Sequence, residues 1–206
     1  MSESSERFPL FPLGLVLLPG EVVPLHIFEE RYRIMIDKCL DGGTEFGIVW
    51  SGDEGIRDVG CAAEVAQLIE RTEDGRMNIL VKGTRRFTLD RRIDDLPYPA
   101  GDVTWVEDVE AGSTDEAGET ARKAYADLVE RVTDTRPEEA DLAELDAYGM
   151  ASTIQFDNAE KQGLLELLTE DERLEALAGL CTAALESLAR SQEAAGRASG
   201  NGKVPH

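Results

Sequence analysis

The sequence predicts an α+β protein, with strands in its first half and helices in its second, and three observations carry that reading. Up to about residue 107 the apolar residues recur with a period of about two, in short runs rich in β-branched and aromatic side chains. From about residue 118 the period lengthens to about 3.6. Between them lies "VEAGSTDEAGE" (109–119), small, polar and acidic. The expected organisation is a disordered leader over 1–7, a β subdomain over 8–108, a linker over 109–117, a helical subdomain over 118–190 and a flexible tail over 191–206.

The elements follow in order. In "FPLGLVLLPGEVVPLHIFEERY" (11–32), Pro12, Pro19 and Pro24 remove ladder donors, so these strands are expected at edges, ends or crossings of a barrel-like sheet. The stretch does not read as a secretory leader, because "MSESSER" before it is acidic and no uninterrupted apolar run approaches the roughly 18 residues of a membrane span. "FEERYRIMIDKCLDGG" reads as one helix: Tyr32, Met35, Ile36, Cys39 and Leu40 form a stripe, Glu29 and Glu30 suit its positive end, and Gly42 suits its stop. Strands are expected over 45–50, 61–71, 76–89 and 102–107. Asp74-Gly75 supplies a tight turn, so 61–71 should pair antiparallel with 76–89, and Gly83 marks a bulge or bend.

In the second half Ala121, Ala124, Tyr125, Leu128 and Val132 form one stripe, and Pro137 opens a second helix carrying Leu142, Leu145 and Tyr148. Asp157 with Glu160, and Thr169 with Glu172, have capping spacing, so helices should start near 158 and 170. The last carries Leu174, Leu177, Cys181, Leu185 and Leu188 on one side.

The 206 residues, 42% of them hydrophobic, suffice for a sizeable core. Against 21 basic residues stand 42 acidic ones, a net charge of −21, and both halves share the imbalance: 12 basic to 22 acidic up to residue 110, then 9 to 20. Such a field repels nucleic acid and anionic lipid. The three cysteines, at 39, 61 and 181, are odd in number and far from zinc or disulfide spacings, so they read as buried, inert thiols in a reducing cytoplasm.

Motifs for catalysis are sparse. The sequence contains no G-x-x-x-x-G-K-[ST] phosphate loop, no G-x-S-x-G elbow and no H-E-x-x-H helix. His26 invites a cryptic-hydrolase reading, against which stands a histidine that bonds locally and fixes a strand-to-helix corner. Lys82, Arg85, Arg86, Arg91 and Arg92 form the one basic cluster; they are contacts for RNA or another anion in one reading and neutralise neighbouring carboxylates in the favoured one. Trp50 and Trp105 are core aromatics or, in the binding reading, anchors for an extended peptide at a sheet edge.

"FPL" (11–13), "PG" (19–20), "PLHIFEERYR" (24–33), "FGIV" (46–49), "VG" (59–60), "DGR…ILVKGTRRF" (74–87) and "EKQGLLELLTEDERLEAL" (160–177) resemble the N-terminal substrate-binding domain of Lon proteases, over roughly residues 8–190. The version most similar is the free-standing bacterial Lon-domain protein. The resemblance implies a PUA-like β pseudo-barrel with one helix, followed by a small helical bundle. It implies no ATPase or Ser-Lys protease module, no cofactor and no metal. It also implies a non-catalytic, cytoplasmic module that recognises unfolded or client proteins and delivers them to, or regulates, a separate protease. The alternatives are a cryptic hydrolase and a PUA-like RNA binder. Pro19, Gly20, Pro24, His26, Phe28, Glu29, Arg31 and Tyr32 are the family's structural motif. Phe28 is expected deep in the corner, where loss of its ring would cost about 3–5 kcal/mol.

Overall fold

A computed structural model of the chain describes residues 4–109 and 115–200. Within them the chain divides into two compact units. The segment up to Val109 groups with Tyr148–Leu168, and the segment from Asp115 to Ala147 groups with the segment from Thr169 onward.

The first unit is built on strands β1 (Ser4–Leu13), β2 (Val22–Ile27), β3 (Phe46–Gly52), β4 (Gly55–Ile56), β5 (Val59–Arg71), β6 (Met77–Ile93) and β7 (Ala100–Val106). The sheet runs β1-β7-β6-β5-β3-β4, and a parallel pairing of β1 with β3 joins its ends, so five strands close into a barrel. The pairings around the rest of the ring are antiparallel. Closure leaves no long edge on those five strands and encloses Phe8, Leu10, Val49, Ala62, Phe87, Leu89, Val103 and Trp105. Phe8 sets its ring edge-on to Phe87 and Trp105, with centroids 5.7 and 5.2 Å away. A Cβ on Gly47 or Gly60 would come within 2.5 or 2.6 Å of Phe87 Cζ, so two bare backbones make room for that ring.

β6 is long because it serves two neighbours. Its second half pairs with β7 and its first half with β2, while β5 runs along its other side. The β5–β6 turn uses Asp74-Gly75 as expected, with Gly75 at φ +81°. Gly83 lies beside a register shift, and a Cβ there would meet Leu18 O at 2.2 Å, so its place is fixed by the turn Leu18-Pro19-Gly20-Glu21 crossing over it. Helix α1 (Glu30–Gly42) buries Tyr32, Met35, Ile36 and Cys39, and it ends one residue later than expected, on Gly43 in the left-handed conformation.

Helices α4 (Ala147–Ala151) and α5 (Asn158–Glu166) supply the rest of this unit. Asp157 caps α5 in a full capping box with Glu160. Asn158 accepts from Val16 N and donates to Gly14 O, Lys161 pairs with Glu21 at 2.6 Å, and Gln162 donates to Val59 O. The barrel answers with Arg86, 3% exposed, which donates to Leu165 O, Leu167 O and Asp108.

The second unit comprises α2 (Asp115–Thr133), α3 (Glu139–Ala143) and α6 (Glu170–Gly200). Ala121, Tyr125 and Leu128 of α2, Leu142 of α3, and Leu174, Leu177 and Cys181 of α6 are buried. Thr169 and Glu172 exchange capping hydrogen bonds at 3.2 Å.

Three expectations are corrected. Residues 4–7 are strand, paired through Ser4 with Thr104, and not a disordered leader. Residues 148–168 belong with the barrel, so no continuous helical subdomain spans 118–190. The helix opened after Pro137 is interrupted, α3 ending at Ala143 and α4 starting at Ala147. Residues 191–200, expected as a tail, continue α6. The expected linker lies largely over 110–114, outside the described residues.

Candidate functional site

The β5–β6 hairpin and β2 make a three-stranded antiparallel platform, and its register divides the side chains between two faces. Val23, Leu25 and Ile27 of β2 stand across from Val81, Ile79 and Met77 of β6, on the inward face. On the outward face three rows cross the strands: Val22–Lys82–Glu64, Pro24–Leu80–Gln67 and His26–Asn78–Glu70, each written from β2 to β5. In these rows the apolar side chains Val22 and Pro24 lie on β2 and the carboxylates Glu64 and Glu70 on β5, roughly 10 Å apart at two strand spacings, while Leu68 and Ile69 of β5 are exposed outside the rows.

The apolar strip is open to solvent. Val22 is 51% exposed, Pro24 is exposed, Leu80 is half-buried, and Phe28, just past the end of β2, is 60% exposed. Phe28 stacks on the His26 ring with centroids 6.0 Å apart. A cleft of about 270 Å³ adjoins them, lined by Phe11, Leu13, Ile27, Phe28, Glu29 and Tyr32. The outer edge of β2 has no strand partner among the described residues.

A short relay orients the end of the strip. Asn78 Nδ2 donates to Glu70 at 3.0 Å, which leaves Asn78 Oδ1 to accept from His26 Nδ1, 2.7 Å away. His26 thus carries its proton on Nδ1 when neutral and turns Nε2 away from this bond. Burial pushes the Cys61 thiol up to about 12 and the Cys181 thiol to about 11, so both stay protonated and neither offers a ready nucleophile. Among the described residues there is no group of three or more His, Cys, Asp or Glu side chains placed to hold a metal ion. The arrangement is suited to holding apolar and aromatic side chains.

The expected site residues are dispersed. Trp105 is 8% exposed in the barrel core with the Arg85 guanidinium 3.6 Å above its ring, so it presents no anchor to a peptide. Trp50 is half-buried on β3, with Arg57 over its ring and Gly52 close beside it, far along the sheet path from β2. Arg86 is internal and cannot contact RNA. Arg85 pairs with Glu45 and Arg91 with Asp102, whose carboxyl the hydrogen bond from Arg91 holds below the usual range; Arg92 is exposed.

Of the family motif, Pro19 and Gly20 (φ +79°) form the turn over Gly83, and Pro24 and His26 face outward. Glu29 flanks α1 and pairs with Arg31, which lies over the Tyr32 ring. Tyr32 is buried, and desolvation raises its hydroxyl pKa. Phe28 is the correction: it caps the outside of the corner instead of filling it. The buried position there belongs to Ile27, which faces Met77. Sequence reading missed Val22 and Leu80. The alternation of Val22, Pro24 and His26 was the available signal, and it lacks an inward or outward sign until β2 is paired.

Comparison with known proteins shows the family and the fold. The family model of the substrate-binding domain of ATP-dependent protease La (Lon) matches residues 7–182. The chain is 30% identical over 190 residues to Lon protease of Xanthomonas oryzae pv. oryzae, covering 84% of this chain and 22% of that one. It is 26% identical over 132 residues to Lon protease of Parabacteroides distasonis, covering 60% and 16%. It thus spans about a fifth of the length of the curated relatives it matches. A Lon N-terminal domain protein from Xanthomonas campestris superposes with a TM-score of 0.65 at 27% identity, covering 86% of this chain and 98% of that one. The N-terminal domain of Mycobacterium avium complex Lon protease shares the fold, with a TM-score of 0.64 at 24% identity.

Proposed function

From the premise that the chain belongs to the Lon substrate-binding domain family, we propose that it is a non-catalytic recognition module that holds extended, non-native segments of client proteins on the outward face of the β2–β6–β5 platform. The observation that carries this reading is the solvent-exposed strip of Val22, Pro24 and Phe28, beside a cleft of about 270 Å³. Val22, Pro24 and Phe28 are exposed together along one strand and its end, and grouped apolar surface marks binding sites where a single exposed side chain does not. Native proteins bury their apolar side chains, and non-native ones present them, so such a strip distinguishes the two without reading much sequence. The clients are handed to a separate protease in the cytoplasm. No described helix is long and apolar enough to cross a membrane.

RNA is the weaker reading. Arg86 is committed inside the fold, Arg85 and Arg91 are paired with carboxylates, and a net charge of −21 opposes a phosphate backbone.

The test is anisotropy of a fluorescein-labelled, permanently unfolded polypeptide, titrated with the intact chain and with Val22→Ser/Phe28→Ser. Binding that weakens at least about tenfold in the variant, a difference of 1.4 kcal/mol, is expected, with little change in melting temperature. No binding by the intact chain, or equal binding by both, would overturn the assignment.

A further inference from the structure

We propose that the platform selects clients by charge as well as by apolarity, taking extended segments in which apolar or aromatic residues alternate with lysine or arginine; this rests on the reading just given. In its three outward rows the platform is amphipathic across its strands; the exposed Ile69 falls at the register shift between Leu68 and Glu70, outside those rows. Val22 and Pro24 define one side, Glu64 and Glu70 the other, and β6 runs between them. An extended segment seated above β6 points successive side chains to opposite sides. One set then falls on the apolar strip of β2, and the alternate set reaches toward the β5 carboxylates.

The two carboxylates are free to receive a cation. Among the described residues neither Glu64 nor Glu70 has an ion-pair partner, whereas the nearby Arg71 is held by Asp37. Lys82 is the one cation in the three rows and stands across from Glu64, so Glu70 carries the larger share of the attraction. Glu70 is also the better oriented, because Asn78 donates to it and His26 in turn holds Asn78. The register sets the two carboxylates four β6 residues apart, Lys82 to Asn78, which is roughly 13 Å along an extended chain. That spacing matches cations at positions i and i+4 of the segment, with apolar residues between.

A net charge of −21 favours a cationic segment over a second copy of this chain as the occupant.

Two fluorescent peptides of equal length separate the outcomes, both with Leu and Phe at alternate positions and with either Lys or Ser between. At low salt the Lys peptide is expected to bind about three- to tenfold more tightly, the sum of two exposed ion pairs, and the advantage should shrink as salt screens it. In Glu64→Gln/Glu70→Gln the ratio of Lys-peptide to Ser-peptide affinity should fall to about one, since glutamine removes the charge and keeps the oxygen that accepts from Asn78. Equal affinities for the two peptides would overturn the selectivity and leave recognition of apolar segments standing. An advantage that survives the double substitution would assign it to the overall charge and overturn this role for β5. Binding of neither peptide would overturn both readings.

Discussion

Phe28 and Phe87 show how one residue type takes opposite roles through its place in the register. Phe87 lies on the inward side of β6, fully buried over the bare backbones of Gly47 and Gly60. Phe28 follows Ile27, the last inward residue of β2, and so falls outside. Phe87→Ala is expected to cost about 3–5 kcal/mol, because it removes a packed ring and leaves a cavity. Phe28→Ala is expected to change stability by less than about 0.5 kcal/mol, as surface substitutions do, and to weaken client binding. Urea denaturation of both variants measures the contrast. A large loss at Phe28 would mean that its ring is part of the core after all. The sequence alone placed Phe28 wrongly because "HIF" offers two adjacent apolar residues at a corner, and only the pairing of β2 with Met77 decides which one turns inward.

At the scale of elements, what could be read locally was read well. The Asp74-Gly75 turn, the stripe of α1 and the Asp157–Glu160 capping box each depend on residues within a few positions of one another. The attachment of α5 to the barrel does not. It rests on Lys161 with Glu21, on Asn158 with Val16 and Gly14, and on Gln162 with Val59, partners more than a hundred residues apart that no periodicity links. The Lys161 and Glu21 side chains are only 12% and 11% exposed. Lys161→Met is therefore expected to destabilise the fold by about 3–5 kcal/mol, since it strands a buried carboxylate. Adding Glu21→Leu should restore much of that loss by removing the stranded charge. Recovery should stay incomplete, because Glu21 also accepts the Leu18 N–H, which would then lack this acceptor. Equilibrium unfolding of the single and double variants checks the pair. A double variant less stable than Lys161→Met would contradict the account.

Across the whole molecule the change of period from strand to helix located two kinds of structure, yet it did not locate the units. Periodicity states which face of an element is apolar and says nothing of which neighbour covers it. Residues 148–168 have helical spacing, as do α2 and α6, but they complete the barrel unit, where Arg86 supplies the donors for Leu165 O and Leu167 O and Val109 N donates to Leu168 O. A chain cut at residue 117, the end of the linker expected after the β subdomain over 8–108, would keep every strand and lose these helical contacts. Arg86 would then be left with Asp108 alone, and Glu21 would lose Lys161. Each stranded group costs several kcal/mol in a domain whose total stability is about 5–15 kcal/mol. The truncated chain is therefore expected to be unfolded or to melt far below the full chain, by circular dichroism and calorimetry. Supplying residues 148–168 as a separate peptide should raise its melting temperature in proportion to the logarithm of peptide concentration, because the peptide binds the folded form alone. A truncated chain that melts like the full one without the peptide would show that the barrel closes without its helical segment.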